Sequence, residues 1–185
     1  MLTESDIYEI NISCSNYINE LRNNDEAVCL LRGSKNYTDT ELSKSFVRKD
    51  RKPRNTPLIF HNYANLWFSN KFGIRYRSES LFCTGNYFMA SRYGDVFAIF
   101  PIGEYRVCWS PSVEDMLDLL DDLHSYDFEG FMNKLIEARY IEGDLKSSIN
   151  SGHEVMLLCN SFYSVAVNSV SEVNSLVERV VMYNI

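Results

Sequence analysis

At 185 residues, 45% of them hydrophobic and 14% aromatic, the chain has the length and composition of one folded domain, which excludes intrinsic disorder. Its formal net charge of -7 argues against nonspecific attraction to nucleic acid or to an anionic membrane surface. The five cysteines (Cys14, Cys29, Cys83, Cys108 and Cys159) are odd in number, widely spaced and form no C-x-x-C pair, so buried reduced thiols in a cytoplasmic protein are expected, with no metal site.

The start, Met1 to Asp6, is acidic and polar, unlike a signal peptide, and no apolar run reaches membrane-spanning length. Residues 3–24 predict a helix with Ile7, Ile10, Ile12, Tyr17, Ile18 and Leu21 on a rough apolar face and Thr3 or Ser5 as cap. Residues 27–31 predict a short buried strand stopped by Gly33. Residues 34–56 are polar without a clear period and predict a long loop, carrying the basic run Arg48-Lys49-Asp50-Arg51-Lys52-Pro53-Arg54. A helix is expected over 57–72, ending at Gly73. A strand follows over 80–84, a turn at Gly85-Asn86, and a helical segment over 87–93 closed by Gly94.

Residues 96–100 form a strongly strand-like run, and 105–109 alternate as its expected partner after a turn at 101–103. A long helix capped by Ser112 is expected to about Glu142, then a loop over 143–152, strands over 154–158 and 162–168, and a last strand near Val180 to Tyr183. Segregated strands and helices favour the α+β class in a single domain 1–185.

Three short pieces carry the chemistry. Leu30-Leu31-Arg32-Gly33 puts an arginine on the first core strand. Phe82-Cys83-Thr84-Gly85, leading into Tyr87-Phe88-Met89-Ala90, puts a small hydroxyl residue between a strand and a helix. Gly152-His153-Glu154-Val155-Met156-Leu157 puts a carboxylate where a buried strand begins. In this order the pieces resemble the ADP-ribosyltransferase fold of bacterial toxins and phage enzymes, in its arginine-serine-glutamate branch. The resemblance spans about residues 27–168. It implies a split β-sheet core with flanking helices, a basic loop at 35–56 and a helical insertion at 112–150.

What the resemblance implies for the site is specific. NAD would be the substrate, with Arg32 holding its phosphates, Gly33 approaching the nicotinamide amide, Thr84 steadying the glutamate, and Tyr87 or Phe88 stacking on the nicotinamide ring. Glu154 would be catalytic, bonding a ribose hydroxyl and stabilising positive charge as nicotinamide leaves. Gly152 stands where the family has its first Glu or Gln, so modification of arginine is not implied. Cys83 and Gly85 stand where it has two serines. The expected acceptor is a macromolecule, protein ahead of nucleic acid, in the cytoplasm of a host if the chain is phage-encoded.

Other features stay open. Tyr76-Arg77-Ser78-Glu79 repeats the three residue types, but on a strand they would alternate faces and not share a pocket, although Arg77 or Arg75 could face the cleft. His61 and Asn62, at a helix start, favour a surface or capping role over a ligand contact, whereas for His153 an exposed turn position and a role beside Glu154 stand level. The basic run is either a solvated loop or a contact for an acidic partner, nucleic-acid phosphate or the NAD phosphates. The acidic series Glu114, Asp115, Asp118, Asp121 and Asp122 is a solvated face or a surface for a basic partner. The alternative function is a non-enzymatic binding or inhibitor protein on the same fold, using the basic loop and the acidic helix.

Overall fold

Apolar runs of this chain become strands buried on both faces, and its 3.6-period segments become the helices that cover them. The computed structural model describes residues 2–23, 28–35, 41–53, 55–121, 123 and 127–183. In chain order these form α1 (Glu4–Ser13), α2 (Ser15–Arg22), β1 (Leu31–Ser34), β2 (Leu42–Phe46), α3 (Leu58–Phe72), α4 (Tyr76–Glu79), β3 (Leu81–Cys83) and α5 (Tyr87–Ser91). There follow β4 (Asp95–Pro101), β5 (Arg106–Trp109), a 3-10 turn (Met116–Leu120), α6 (Phe128–Glu137), β6 (Ile141–Glu142), α7 (Leu145–Ser151), β7 (Val155–Leu158), β8 (Ser161–Val167) and α8 (Val170–Val181).

The strands make two antiparallel sheets, ordered β1-β4-β8-β2 and β3-β7-β5-β6. One pair of bonds ties their edges together. The Leu31 N–H donates to the Thr84 carbonyl at 2.7 Å, and the Thr84 N–H donates back to the Leu31 carbonyl at 2.9 Å. β1, β3 and β7 therefore lie side by side across the join.

The second sheet is buried on both faces, which explains why Val155-Met156-Leu157-Leu158 is apolar without alternation. Val155 and Leu157, with Leu81, Cys83, Val107 and Trp109, pack into a core shared with α1, α2 and α8. Met156 and Cys108, with Phe82 against them, face a second core built from Phe60, Phe68, Tyr76, Phe131 and Leu135. The cross-strand pairs Phe82↔Met156 and Cys108↔Met156 keep that register.

Several expectations are corrected. Gly33 does not stop the first strand, which begins at Leu31 and runs through it to Ser34. A side chain there would put its Cβ 1.9 Å from the Ala90 carbonyl oxygen, so the glycine lets α5 lie on the strand. The 34–56 segment is not all loop, because β2 pairs with β8; residues 36–40 and 54 lie outside the described residues. β5 does not pair with β4, whose two edges are taken by β1 and β8. The 112–142 segment is not one helix. Its 3-10 turn is capped by Asp115 rather than Ser112, α6 by Asp127, and β6 closes it.

The 143–152 segment is helix α7, with Asp144 capping the Ser147 N–H and left-handed Gly152 (φ 71°) ending it. The tail is helix α8, not strand. Val173, Leu176, Val177 and Val180 recur at helical spacing on its buried face, and Ser169 caps it. The α3 expectation agrees with the structure, including its left-handed stop at Gly73 (φ 76°).

Candidate functional site

Where the sheets meet, a cleft of about 740 Å³ opens, lined by Arg32, Gly33, Thr84 and Glu154 among others. The joined edges explain this convergence: β1 carries Arg32, Thr84 follows β3, and Glu154 precedes β7. Among the described residues, six cationic side chains (Arg32, Lys35, Arg48, Arg51, Lys52 and Arg77) line it against three carboxylates (Glu114, Asp115 and Glu154). The cleft is thus net positive in a chain of formal charge -7, a local field that attracts anions.

Glu154 is held from both sides. Its N–H donates to the Glu114 carbonyl at 2.7 Å. Two residues earlier, the Gly152 carbonyl accepts the Thr84 hydroxyl at 2.6 Å, and that hydroxyl oxygen accepts the Asn86 N–H at 3.1 Å. Thr84 thus ties the end of β3 to the entry into β7. The Glu154 carboxylate accepts Arg77 Nη1 at 2.6 Å, with the two side chains 17% and 7% exposed. Burial pushes the Glu154 carboxyl above its usual range; Arg77 pulls it down, Asp115 pushes it up and Arg51 pulls it down.

Arg32 is half-buried and donates through Nη1 to the Phe82 carbonyl at 2.9 Å, so its guanidinium is braced on the neighbouring strand. Arg51 enters from the segment between β2 and α3. Its guanidinium lies 3.5 Å from the Phe82 ring centre, and that of Arg77 lies 4.3 Å from it. Burial, then Arg77 and Arg32, lower Arg51 to about 9, and it stays charged at neutral pH. Buried Arg51 Nη1 and Arg77 Nε have no hydrogen-bond partner among the described residues.

Behind these arginines His61, Asn65 and Ser78 interlock. His61 Nε2 lies 3.0 Å from Ser78 Oγ and 3.1 Å from Asn65 Nδ2, and Asn65 Nδ2 donates to Ser78 Oγ at 2.7 Å. Burial, Arg77 and Arg51 depress His61 to about 4, leaving it neutral at pH 7. His61 also lines the cleft, while Asn62 is exposed. His153 lies outside the cleft lining, its Nδ1 at 2.9 Å from the Ser110 carbonyl.

Tyr87 does not reach the cleft lining. It packs against the main core, and Phe88 is 71% exposed without lining the cleft either. From the same stretch it is Met89, Ala90 and Tyr93 that line the cleft, and the Tyr93 hydroxyl donates to Asp115 at 3.4 Å.

From the sequence Arg77 was allowed a place facing the cleft, but with 76–79 read as strand it was not paired with Glu154. Those residues are a short helix, and Arg77 is the partner of Glu154. Arg51 was visible only as one cation in a basic run. Its signal was the contrast between that run and the chain's negative charge.

All five cysteines are free and buried. Among the described residues no group of His, Cys, Asp and Glu could hold a metal ion, and no helix is long and apolar enough to cross a membrane. No family model, curated protein or solved structure matches the chain.

Proposed function

We propose that the cleft binds NAD and that the protein transfers its ADP-ribose to a macromolecular acceptor, releasing nicotinamide. The observation that carries this reading is the convergence of Arg32, Thr84 and Glu154 on one positive cleft from three adjacent strand edges. It is the constellation that the resemblance to ADP-ribosyltransferases implies, and the split between two sheets supports it further. The cleft has the size of a cofactor or small-molecule site, and its excess of guanidinium charge suits a diphosphate.

In this reading Arg32, braced by the Phe82 carbonyl, holds a phosphate oxygen. Glu154, fixed by the Glu114 carbonyl and indirectly by Thr84, bonds a ribose hydroxyl. The bond from the anomeric carbon to the nicotinamide nitrogen breaks, and its electron pair stays on nitrogen as neutral nicotinamide. A lone pair of the acceptor forms the new bond at that carbon, and the acceptor's proton leaves to solvent. The Glu154 charge opposes positive charge that builds only as the first bond breaks, so it lowers the barrier rather than tightening binding.

The test is nicotinamide release from NAD by wild type and Glu154→Gln, with and without cell lysate as acceptor source. Glu154→Gln keeps the shape and loses the charge; a fall of about a hundredfold or more in turnover with no loss of NAD binding is expected. Wild type that neither binds NAD nor releases nicotinamide removes the transferase reading and leaves a binding protein.

A further inference from the structure

Arg51 and Arg77 belong to different elements, yet both guanidinium groups lie over one aromatic ring, Phe82, at 3.5 and 4.3 Å. After burial, the Arg77 charge is the largest influence lowering Arg51, so the two repel, and a repelling pair is costly to hold inside a fold. Arg77 is 6% exposed, and among the described residues neither its Nε nor Arg51 Nη1 makes a hydrogen bond. The Arg51 backbone is also pinned, its N–H donating to the Ser78 carbonyl at 3.1 Å. A buried, braced pair of forked donors with unmet hydrogen-bonding capacity is what a compact, multiply charged anion requires.

We propose that Arg51 and Arg77, on the Phe82 ring, form a second anion pocket in the cleft that takes the diphosphate of a nucleotide, and that Glu154 competes with this ligand for Arg77. The depth of Arg77 favours a small diphosphate over a nucleic-acid backbone, whose bulk would have to follow it inward. Competition follows from the geometry, since Arg77 Nη1 is engaged by Glu154 at 2.6 Å until an anion draws it away. Diphosphate binding then releases the Glu154 carboxylate for other partners. The pocket holds whether or not the cleft cleaves NAD.

Titration calorimetry with inorganic pyrophosphate, ADP and a single-stranded oligonucleotide tests this on the full chain. Wild type is expected to bind pyrophosphate and ADP. Arg51→Gln and Arg77→Lys should each weaken both by about tenfold, the loss expected for a charged hydrogen bond. Arg77→Lys keeps a cation opposite Glu154, so the fold is retained even where Arg51→Gln unfolds. Glu154→Gln should tighten pyrophosphate binding severalfold while nicotinamide release falls, which separates this pocket from the transfer reaction.

No binding of pyrophosphate or ADP by wild type overturns the pocket. So does binding that Arg77→Lys leaves unchanged, which would put the anion on Arg32 or the exposed lysines. Oligonucleotide binding without pyrophosphate binding overturns the diphosphate class. A weaker rather than tighter Glu154→Gln overturns the competition.

Discussion

Single side chains in this protein take their meaning from which neighbour reaches them. Glu154 was legible from sequence because a carboxylate before an apolar strand is held rigidly. Arg77 was not, because its partner lies 77 residues away and only the fold brings them within 2.6 Å. His61 shows the same limit, since nothing local indicates that two guanidinium groups face it. Its consequence can be measured. The folded protein holds His61 down to about 4, whereas the unfolded chain takes up the proton near 6.5. Between those values the unfolded state binds more protons, so this histidine's contribution to stability is complete above 6.5 and is lost as pH falls toward 4, by about 3 kcal/mol in all. Urea denaturation of wild type and His61→Gln at several pH values checks it. The difference between the two should shrink as pH falls across that window, and a constant difference would mean that His61 is not buried neutral. Comparing the two proteins also cancels the opposite trend from Glu154, whose raised carboxyl favours the folded state as pH falls.

Among the elements, legibility followed the length of the uninterrupted apolar run. β4 and α3 were clear because each is a long run rich in apolar residues with no internal breaker, seven residues of strand in one and fifteen of helix in the other. α7 and α8 were missed where a few β-branched or polar residues were read without the residues three and four positions away. Strand partners were the least legible, since adjacency in sequence suggested β4 with β5 and the fold placed them in different sheets. Glycines at element contacts carry a related message. Gly85 has no left-handed backbone, but a Cβ there would fall 1.9 Å from the Ile149 carbonyl oxygen, in the backbone of α7. That helix leads through Gly152 into Glu154. Gly85→Ala should therefore cost about 1–3 kcal/mol or more of stability by overpacking, and also disturb the site through the Thr84 to Gly152 bond. Gly73→Ala is the comparison, because it meets open space and its left-handed φ of 76° costs only about 1 kcal/mol. Urea midpoints of both variants decide it. Equal losses would mean that α7 yields to the added methyl.

At the scale of the whole molecule, two cores share one sheet, with β3, β5 and β7 presenting alternate side chains to each. Neither core can lose its packing without exposing the reverse face of that sheet, so one cooperative transition is expected. The thiols provide a probe for both sides. Cys14, Cys29, Cys83 and Cys159 sit in the main core and Cys108 in the second. Burial pushes the first four up to about 12 and Cys108 higher still, so at pH 8 almost no thiolate is present and no thiol is accessible. A disulfide-exchange reagent should therefore label none of the five cysteines of the native protein within minutes and all five in denaturant. Across a urea series the label on Cys108 should appear at the same midpoint as the label on the other four, read by mass spectrometry of the separated peptides. An earlier midpoint for Cys108 would mean that the second core, with α3 and α6, opens on its own. The arginines and Glu154 line the cleft at the join between the sheets, so an independent opening would also predict loss of anion binding before the main core unfolds.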